Sequence, residues 1–561
     1  MLTRREFAQA AMAGAALLGA YGNPLRAIAQ QKMSQDDILQ FDSKGQVTIL
    51  HLTDIHAQLK PVCFREPSIN LGVGAAHGRP PHLTGKDFLQ HFGIEPGSPM
   101  AYALTYLEFD AMAQTYGRMG GLDRIATLVN AVRAEREANT LFLDGGDTWH
   151  GSWSALQTGG EDMVRCMNML QPDAMVGHWE FTYGADRVEE LIEQLAFPFL
   201  AANIIDNEWE EPVFESTLYA ERGGVKVAVI GQAFPYTPIA NPRWMIPSWS
   251  FGVRDDVIRD KVQEARDEGA GLVVLLSHNG FDVDHKVAEN VDGIDVILTG
   301  HTHDAMPEPL VVNKTLVVGT GSNGKFVSRL DLDVGSDGVK DFSFKLMPVF
   351  SDAIEPDAEV AALIDEVRAP YEEHLSEVVA QAESTLYRRG NFNGTFDDVI
   401  CAAMLEQRDA QIALSPGFRW GTSLPAGAEV TRDFVYSHTA MTYPNVYRLE
   451  FTGQMMKDIM EDVADNLFNV DPYYQQGGDM VRVGGMGYDI DVNAAMGARI
   501  SNLHLTATGE PLEADKRYIV AGWASVNEGT EGPPVWDVVF AHLEGHRELR
   551  VEENQNVRVK V

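Results

Sequence analysis

Between Val47 and Leu346 the chain alternates short, almost unbroken apolar runs with segments whose apolar residues recur at helical spacing. The runs VTILHL, TLFLDG, FPFLAAN, VKVAVIG, GLVVLLS, DVILTG and TLVVGT are all of strand length. Their continuity predicts strands covered on both faces, since a half-exposed strand would alternate with polar residues. In GLDRIATLVNAVRAE, Leu122, Ile125, Leu128, Val129 and Val132 fall on one stripe, which predicts an amphipathic helix. Strands and helices in alternation predict an α/β layered domain over residues 30–350. A helical linker follows over 351–381, interrupted at Pro370. Residues 382–561 read as a smaller α+β domain with Gly-rich turns such as GGDMVRVGGMGYDIDV. Two domains also suit a chain of 561 residues, too long for one ordinary core. Within the first domain, REPSINLGVGAAHGRPPHLTG is rich in Gly and Pro and predicts a long loop inserted over one end of the sheet.

The first residues break this pattern. Arg4 and Arg5 in TRREF precede the modest apolar run AQAAMAGAALLGAYG, and a cleavage-like AIA stands at Ala27 to Ala29. The run is too short and too poor in Leu and Ile to span a bilayer. Residues 1–29 are therefore expected to be a twin-arginine signal peptide, giving a periplasmic protein with no stable membrane anchoring.

Charge narrows the partners. Asp and Glu outnumber Lys and Arg by 81 to 44, for a net charge of −37, which argues against nucleic acid as a ligand. An anionic substrate would need positive charge from metal or from a few placed arginines. Cys63, Cys166 and Cys401 form no C-x-x-C pair and predict no disulfide framework. Cys166 and Cys401 lie in helical patterns and read as small core residues; Cys63 reads as a loop thiol.

Chemistry collects where the apolar runs end. VTILHL leads into Asp54 and His56, TLFLDG into Asp147, GLVVLLS into His278, and DVILTG into His301 and His303. His178 joins them in a short turn, VGHWEF, after an amphipathic helix. Open α/β sheets place ligand sites just past the carboxyl ends of their strands. Each group alone is a weak signal, but two carboxylates and five imidazoles at such positions predict a two-metal site. Asp147 is the natural bridging carboxylate. Two cations about 3.5–4 Å apart can share a water, lower its pKa towards neutrality and clamp a tetrahedral anion.

In order along the chain, D-x-H, G-D, G-H-W-E, the strand-end His and G-H-T-H resemble the motifs of the calcineurin-like metallophosphoesterases. With the second domain, the mature chain resembles the 5′-nucleotidases. That resemblance implies that Asp54, His56, Asp147 and His303 hold one metal, and Asp147, His178, His278 and His301 the other. It also exposes a departure. Nucleotidases carry G-N-H-E, whose Asn is a ligand and whose His works with a nearby Asp beside the scissile bond. Here His178 replaces the Asn, Trp179 replaces the His, and Thr182 stands in place of the Asp. Every ligand position is filled while the dyad is gone. A departing alkoxide gains greatly from protonation, its parent acid having a pKa near water's, about 15.7. A thiol, at about 8.5, leaves unaided. The pattern fits thiolate-expelling hydrolysis with metal-bound hydroxide as nucleophile.

GHWEFTYG, REPSINLGVG, PPHL, YGRMGGLDRIATLV and SPGFRWG resemble the SoxB thiosulfohydrolases of bacterial sulfur oxidation. The resemblance implies a hydrolase that releases sulfate from a cysteine S-thiosulfonate on a sulfur carrier protein of SoxYZ type, with two divalent metal ions, Mn2+ in that family. Five imidazoles alone would suit zinc at least as well. Arg419, in the loop SPGFRWG, is expected to neutralise the sulfonate oxygens. Trp179 is expected to wall the site or pack the core, Tyr443 to serve recognition or packing, and His150 to be structural or to stand behind the ligands. An exported 5′-nucleotidase or cyclic phosphodiesterase is the first alternative, and a non-catalytic carrier-binding protein the second.

Overall fold

The computed structural model describes residues 32–336 and 338–560, so the expected signal peptide lies outside the described residues. The apolar runs build two sheets. One is ordered Gly338–Pro348, Phe326–Gly335, Val47–Leu52, Thr140–Asp144, Ala174–Met175. The other is ordered Leu310–Val312, Thr315–Gly319, Val296–Thr299, Leu272–Ser277, Val225–Gln232, Thr217–Arg222. Val47–Leu52 runs parallel to Thr140–Asp144, and Leu272–Ser277 lies parallel between Val225–Gln232 and Val296–Thr299.

The two sheets lie against each other, which explains why their strands are apolar throughout. Val47, Ile49, Leu141 and Leu143 of the first share a buried layer with Val227, Val229, Leu272, Leu276 and Leu298 of the second. The opposite faces are covered by helices. Leu50, Leu52 and Phe142 pack with Leu122, Ile125 and Val129 of the helix Leu122–Arg136. Ile230, Val273 and Leu275 pack with Ile258 and Val262 of Asp255–Asp267 and Val287 of Phe281–Asn290. Burying both faces of a strand removes the polar alternation that a solvated face would impose.

Two expectations need correction. FPFLAAN forms no strand. Its residues run through isolated bridges, Met175 with Phe199 and Leu200 with Glu215, although Phe199, Leu200 and Ala201 are buried. Burial without a ladder gives the same apolar run. The linker is helical only over Ala358–Arg368 and Glu372–Leu375, broken around Pro370. Its last residues enter the strand Val378–Ala382, which pairs with Glu429–Thr431 and Glu548–Leu549.

The rest of the chain holds a four-stranded sheet ordered Tyr447–Thr452, Arg517–Gly522, Ile412–Ser415, Arg482–Gly484 and a three-stranded sheet ordered Ile500–Leu505, Met486–Asp491, Val557–Lys560, with helices that include Thr395–Gln407, Gly453–Phe468 and Val535–Gly545. The Gly- and Pro-rich insert is largely irregular, with a single short turn of helix at Gly74–Ala76. It is pinned from beneath by the buried Lys325, whose ammonium binds Glu66 and donates to the Ala103 carbonyl at 2.8 Å. No helix among the described residues is long and apolar enough to cross a membrane.

Candidate metal centre

Strand ends deliver the predicted side chains to one point. Asp54 and His56 follow Val47–Leu52, and Asp147 follows Thr140–Asp144. His278 follows Leu272–Ser277, and His301 and His303 follow Val296–Thr299. His178 also proves to follow a strand, Ala174–Met175, which is only two residues long and carries no readable pattern.

All seven residues are buried. They fall into two groups whose donor atoms lie within 4.8 Å of one another: Asp54, His56, Asp147 and His303, and Asp147, His178, His278 and His301. Asp147 belongs to both. Its Oδ2 stands 2.9 Å from His178 Nδ1, 3.2 Å from His278 Nε2 and 3.9 Å from His56 Nε2. Asp54 Oδ1 lies 3.2 Å from His303 Nε2 and 3.7 Å from His278 Nε2, and the Nε2 atoms of His56 and His303 are 3.0 Å apart.

The backbone is bent to achieve this. Asp54, His56, Asp147 and His303 all have positive φ, from 52° to 60°. Left-handed backbone at a non-glycine residue costs on the order of 1–3 kcal/mol and persists where surrounding structure enforces it. Hydrogen bonds do the enforcing here. Asp54 N donates to Gly146 O and His56 N to Asp147 O, each at 2.8 Å, which ties the two ligand turns together. Glu180, behind the site, accepts from His178 N at 2.7 Å and Thr148 N at 2.6 Å. Trp179 N donates to Asp147 Oδ1 at 2.8 Å.

A divalent ion fits this donor set. Asp54 Oδ1 and both ring nitrogens of His301 are buried without a hydrogen-bond partner, and the Nε2 atoms of His56 and His303 face each other at 3.0 Å. Leaving these polar atoms unsatisfied would cost about 1–3 kcal/mol each unless something else binds them. Burial holds the His56 imidazole down to about 4 and lowers His178, His301 and His303 as well, so these rings are neutral, the form that ligates. For Asp147, burial opposes ionisation, but His178, His56 and His278 outweigh it and hold the carboxyl well below its usual range. Burial likewise opposes the charged ring of His278, yet Asp54 and Asp147 raise it to about 9.

A cleft of about 210 Å3 opens over the cluster, between the two halves of the chain. Its walls include Trp179, Phe234, Phe418 and Trp420, with Arg419 at one side. Trp179 lies 5.1 Å from His150 in a stacked pair and meets Phe418 edge-on at 5.2 Å. It therefore both packs and walls. His150 sits behind it, edge-on to Trp420, outside the cleft lining. Thr182 is spent on a 2.6 Å hydrogen bond with Thr442. The Tyr443 hydroxyl is turned towards Ala240 O, 3.4 Å, and Asn241 Oδ1, 3.3 Å. Cys63 is not in the cluster; it faces a separate cavity beside Arg118.

Arg419 reaches the centre from the second half of the chain. Its guanidinium donates to Thr302 O at 3.1 Å and Gly478 O at 2.7 Å, with Asp479 3.6 Å away. Burial lowers its pKa to about 10, leaving it cationic at neutral pH. Sequence reasoning missed its partners. Arg389 also donates to Thr302 O, at 3.1 Å, and Asp479 binds Arg389 and Arg482, each at 3.2 Å. The doubled arginine in YRRGN and the glycines before Asp479 were the available signals. Those glycines matter sterically: a Cβ on Gly477 would stand 2.7 Å from His301 Nε2.

Comparison with known proteins agrees with this geometry. The calcineurin-like phosphoesterase family matches residues 47–305, and the 5′-nucleotidase C-terminal domain matches residues 377–538. The 5′-nucleotidase of Rattus norvegicus is 24% identical over 492 residues, covering 79% of this chain and 83% of its own. A 5′-nucleotidase precursor from Thermus thermophilus superposes with a TM-score of 0.73 at 21% identity, over 92% of this chain and 99% of that one, a likeness of fold. The sulfate thiohydrolase SoxB of Thermus thermophilus superposes with a TM-score of 0.90 at 36% identity, over 93% of this chain and 98% of that one. The chain belongs to the SoxB family, within the 5′-nucleotidase-type metallophosphoesterases, a superfamily of hydrolases.

Proposed function

We propose that this protein hydrolyses a cysteine S-thiosulfonate borne by a sulfur carrier protein of SoxYZ type and releases sulfate, a step of thiosulfate oxidation. It works with two Mn2+ ions, in the periplasm, after twin-arginine export. The observation that carries the reading is the cleft's want of a proton donor. Among the described residues lining it, every titratable side chain is either a candidate ligand or part of the Arg419–Asp479 ion pair. Trp179 and Thr182 stand where the nucleotidases keep their His and Asp, and neither can supply a proton to an alkoxide.

Size supports the same substrate. The cleft over the ligands, about 210 Å3 and walled by Trp179, Phe418 and Trp420, has room for a sulfonate on an extended tip.

In the reaction, water adds to the sulfonate sulfur, the S–S bond breaks, and the sulfane sulfur leaves with the electron pair. Cys–S–S–SO3− and water give Cys–S–S−, sulfate and two protons. Asp54, His56, Asp147 and His303 would hold one ion and Asp147, His178, His278 and His301 the other. Divalent ions held there would supply Lewis acidity and lower the pKa of the attacking water. Arg419 faces the anionic oxygens with a fixed fork of donors. Trp179, Phe418 and Trp420 exclude bulk water, which strengthens these charge interactions. The departing sulfur is of the thiol class, with a pKa of about 8.5 or below, and needs no acid.

Supplying the Mn2+-loaded protein separately with AMP and with a thiosulfonated cysteine peptide tests this. The expected result is loss of the sulfonate by mass spectrometry and release of free sulfate, with AMP untouched. Turnover of AMP alone would return the chain to the nucleotidases. Capture of the peptide without turnover would make it a binding protein.

A further inference from the structure

The arginine side of the cleft is held by a carboxylate that takes no part in the bond changes. Asp479 stands in QQGGDMVR, just ahead of the strand Arg482–Gly484, with its side chain wholly buried. A close approach of two loops fixes its position. Asp479 N donates to Gly417 O at 2.8 Å, and a Cβ on Gly417 would overlap Asp479 O. The loop that carries Arg419 can therefore lie against the loop that carries Asp479 only through that glycine.

From this position the carboxylate serves three guanidiniums. Its Oδ1 accepts from Arg389 and Asn391, each at 3.2 Å, and faces Arg419 Nε at 3.6 Å. Its Oδ2 accepts from Arg482 at 3.2 Å. Arg482 also pairs with Asp397 at 3.5 Å, as does Arg388 at 3.1 Å. Four guanidiniums thus divide two carboxylates between them, and no member of the group is more than 10% exposed. Buried charges are normally matched by partners, and this group is short of anions. Of the four arginines, Arg419 alone lines the cleft, where a ligand can supply the missing charge.

The reaction read above changes the charge of that ligand. The thiosulfonate presents –SO3−, a monoanion, whereas the released sulfate is a dianion at neutral pH. A site with surplus positive charge holds the dianion more tightly and so retains its product. Asp479 works against this, with one negative charge set 3.6 Å behind the fork. Resting on the thiosulfonate reading, we propose that Asp479 is a positioning residue that also sets specificity for anion charge. It aims Arg419 at the bound oxygens, and it trims the local positive charge so that the sulfonate is captured and the sulfate dianion released. Arg389, outside the cleft lining, acts on the same balance with the opposite sign.

The test titrates the Mn2+-loaded full chain with sulfate and, separately, with methanesulfonate, a monoanion that offers the same three oxygens. Calorimetry gives the ratio of the two affinities. Asp479→Asn removes a negative charge and should shift that ratio about tenfold towards sulfate, the scale on which unit charges interact across a partly buried site. Arg389→Gln removes a positive charge and should shift it about tenfold towards methanesulfonate. A mere packing defect would weaken both anions together, and in both variants alike. With the thiosulfonated peptide, Asp479→Asn should give a rapid first turnover and then a slower steady rate, as sulfate release becomes limiting. An unchanged ratio in either folded variant, or a shift of the same sign in both, would overturn the proposal. Should Asp479→Asn not fold, Arg389→Gln decides alone. Wild-type protein that binds both anions but leaves the peptide intact would refute the thiosulfonate reading instead, with the affinity ratios still deciding the role of Asp479.

Discussion

Arg419 shows how much chemistry one side chain can be asked to carry in an acidic protein. Its guanidinium is largely shielded from solvent and held by Thr302 O and Gly478 O, so its fork is oriented before any substrate arrives. Lysine at this position would keep the charge and lose the planar, two-pronged geometry. Arg419→Lys should therefore lower kcat/KM on the thiosulfonated peptide by about 10–100-fold, the equivalent of one hydrogen bond to a charged group at about 1.5–3 kcal/mol. Steady-state kinetics checks this, and unchanged kcat/KM would remove Arg419 from substrate binding. Trp179 teaches a related point. Its sequence position marked a lost histidine, but only packing shows that the indole both lines the cleft and rests on His150.

Secondary-structure elements carry the ligands by being tied to one another. Arg329, on the strand Phe326–Gly335, is buried between Glu135 of the helix Leu122–Arg136 and Asp331, with its guanidinium 4.3 Å from the Phe41 ring. The hydrogen bonds from Arg329 hold the Glu135 carboxyl down to about 2, against an ordinary 4.5. A carboxyl depressed in the folded state stabilises it above the unfolded pKa, and that contribution fades as pH falls towards the folded value. Glu135→Gln should thus melt below the wild type at pH 7, and the gap should close between about pH 4.5 and pH 2. Thermal melts across that range test it; a gap that persists at pH 2 would contradict it. Half-exposure of Glu135 keeps the effect modest.

These elements were unequally legible in the sequence. Val47–Leu52, Thr140–Asp144 and Leu272–Ser277 could be read because burial on both faces leaves an unbroken apolar run. FPFLAAN shows the limit, since a buried stretch without strand partners looks the same. That two sheets pack together, rather than one sheet between helices, is invisible to a pattern that records burial but not the neighbour. The candidate ligands were legible because Asp and His cluster at run ends. Arg389 and Asp479 were not, because an Arg–Asp pair has no spacing rule and forms only when distant loops meet.

Across the whole molecule, the two halves meet at the site rather than merely near it. Arg389 and Arg419 of one half both donate to Thr302 O of the other, one residue from His301 and from His303. The cleft is thus closed on one side by strand-end imidazoles and on the other by guanidinium and indole groups. Its chemistry follows from what each half contributes: ligand atoms for cations, a fixed positive fork, and no acid for a poor leaving group. Such a cleft should release an anionic sulfur unaided and deliver an oxygen from water to the sulfonate. The decisive measurement is isotopic: the Mn2+-loaded protein is incubated with a thiosulfonated carrier peptide in 18O-labelled water. Sulfate carrying one labelled oxygen, with the sulfane sulfur kept on the peptide, is the predicted result; unlabelled sulfate, or an intact peptide, would contradict it.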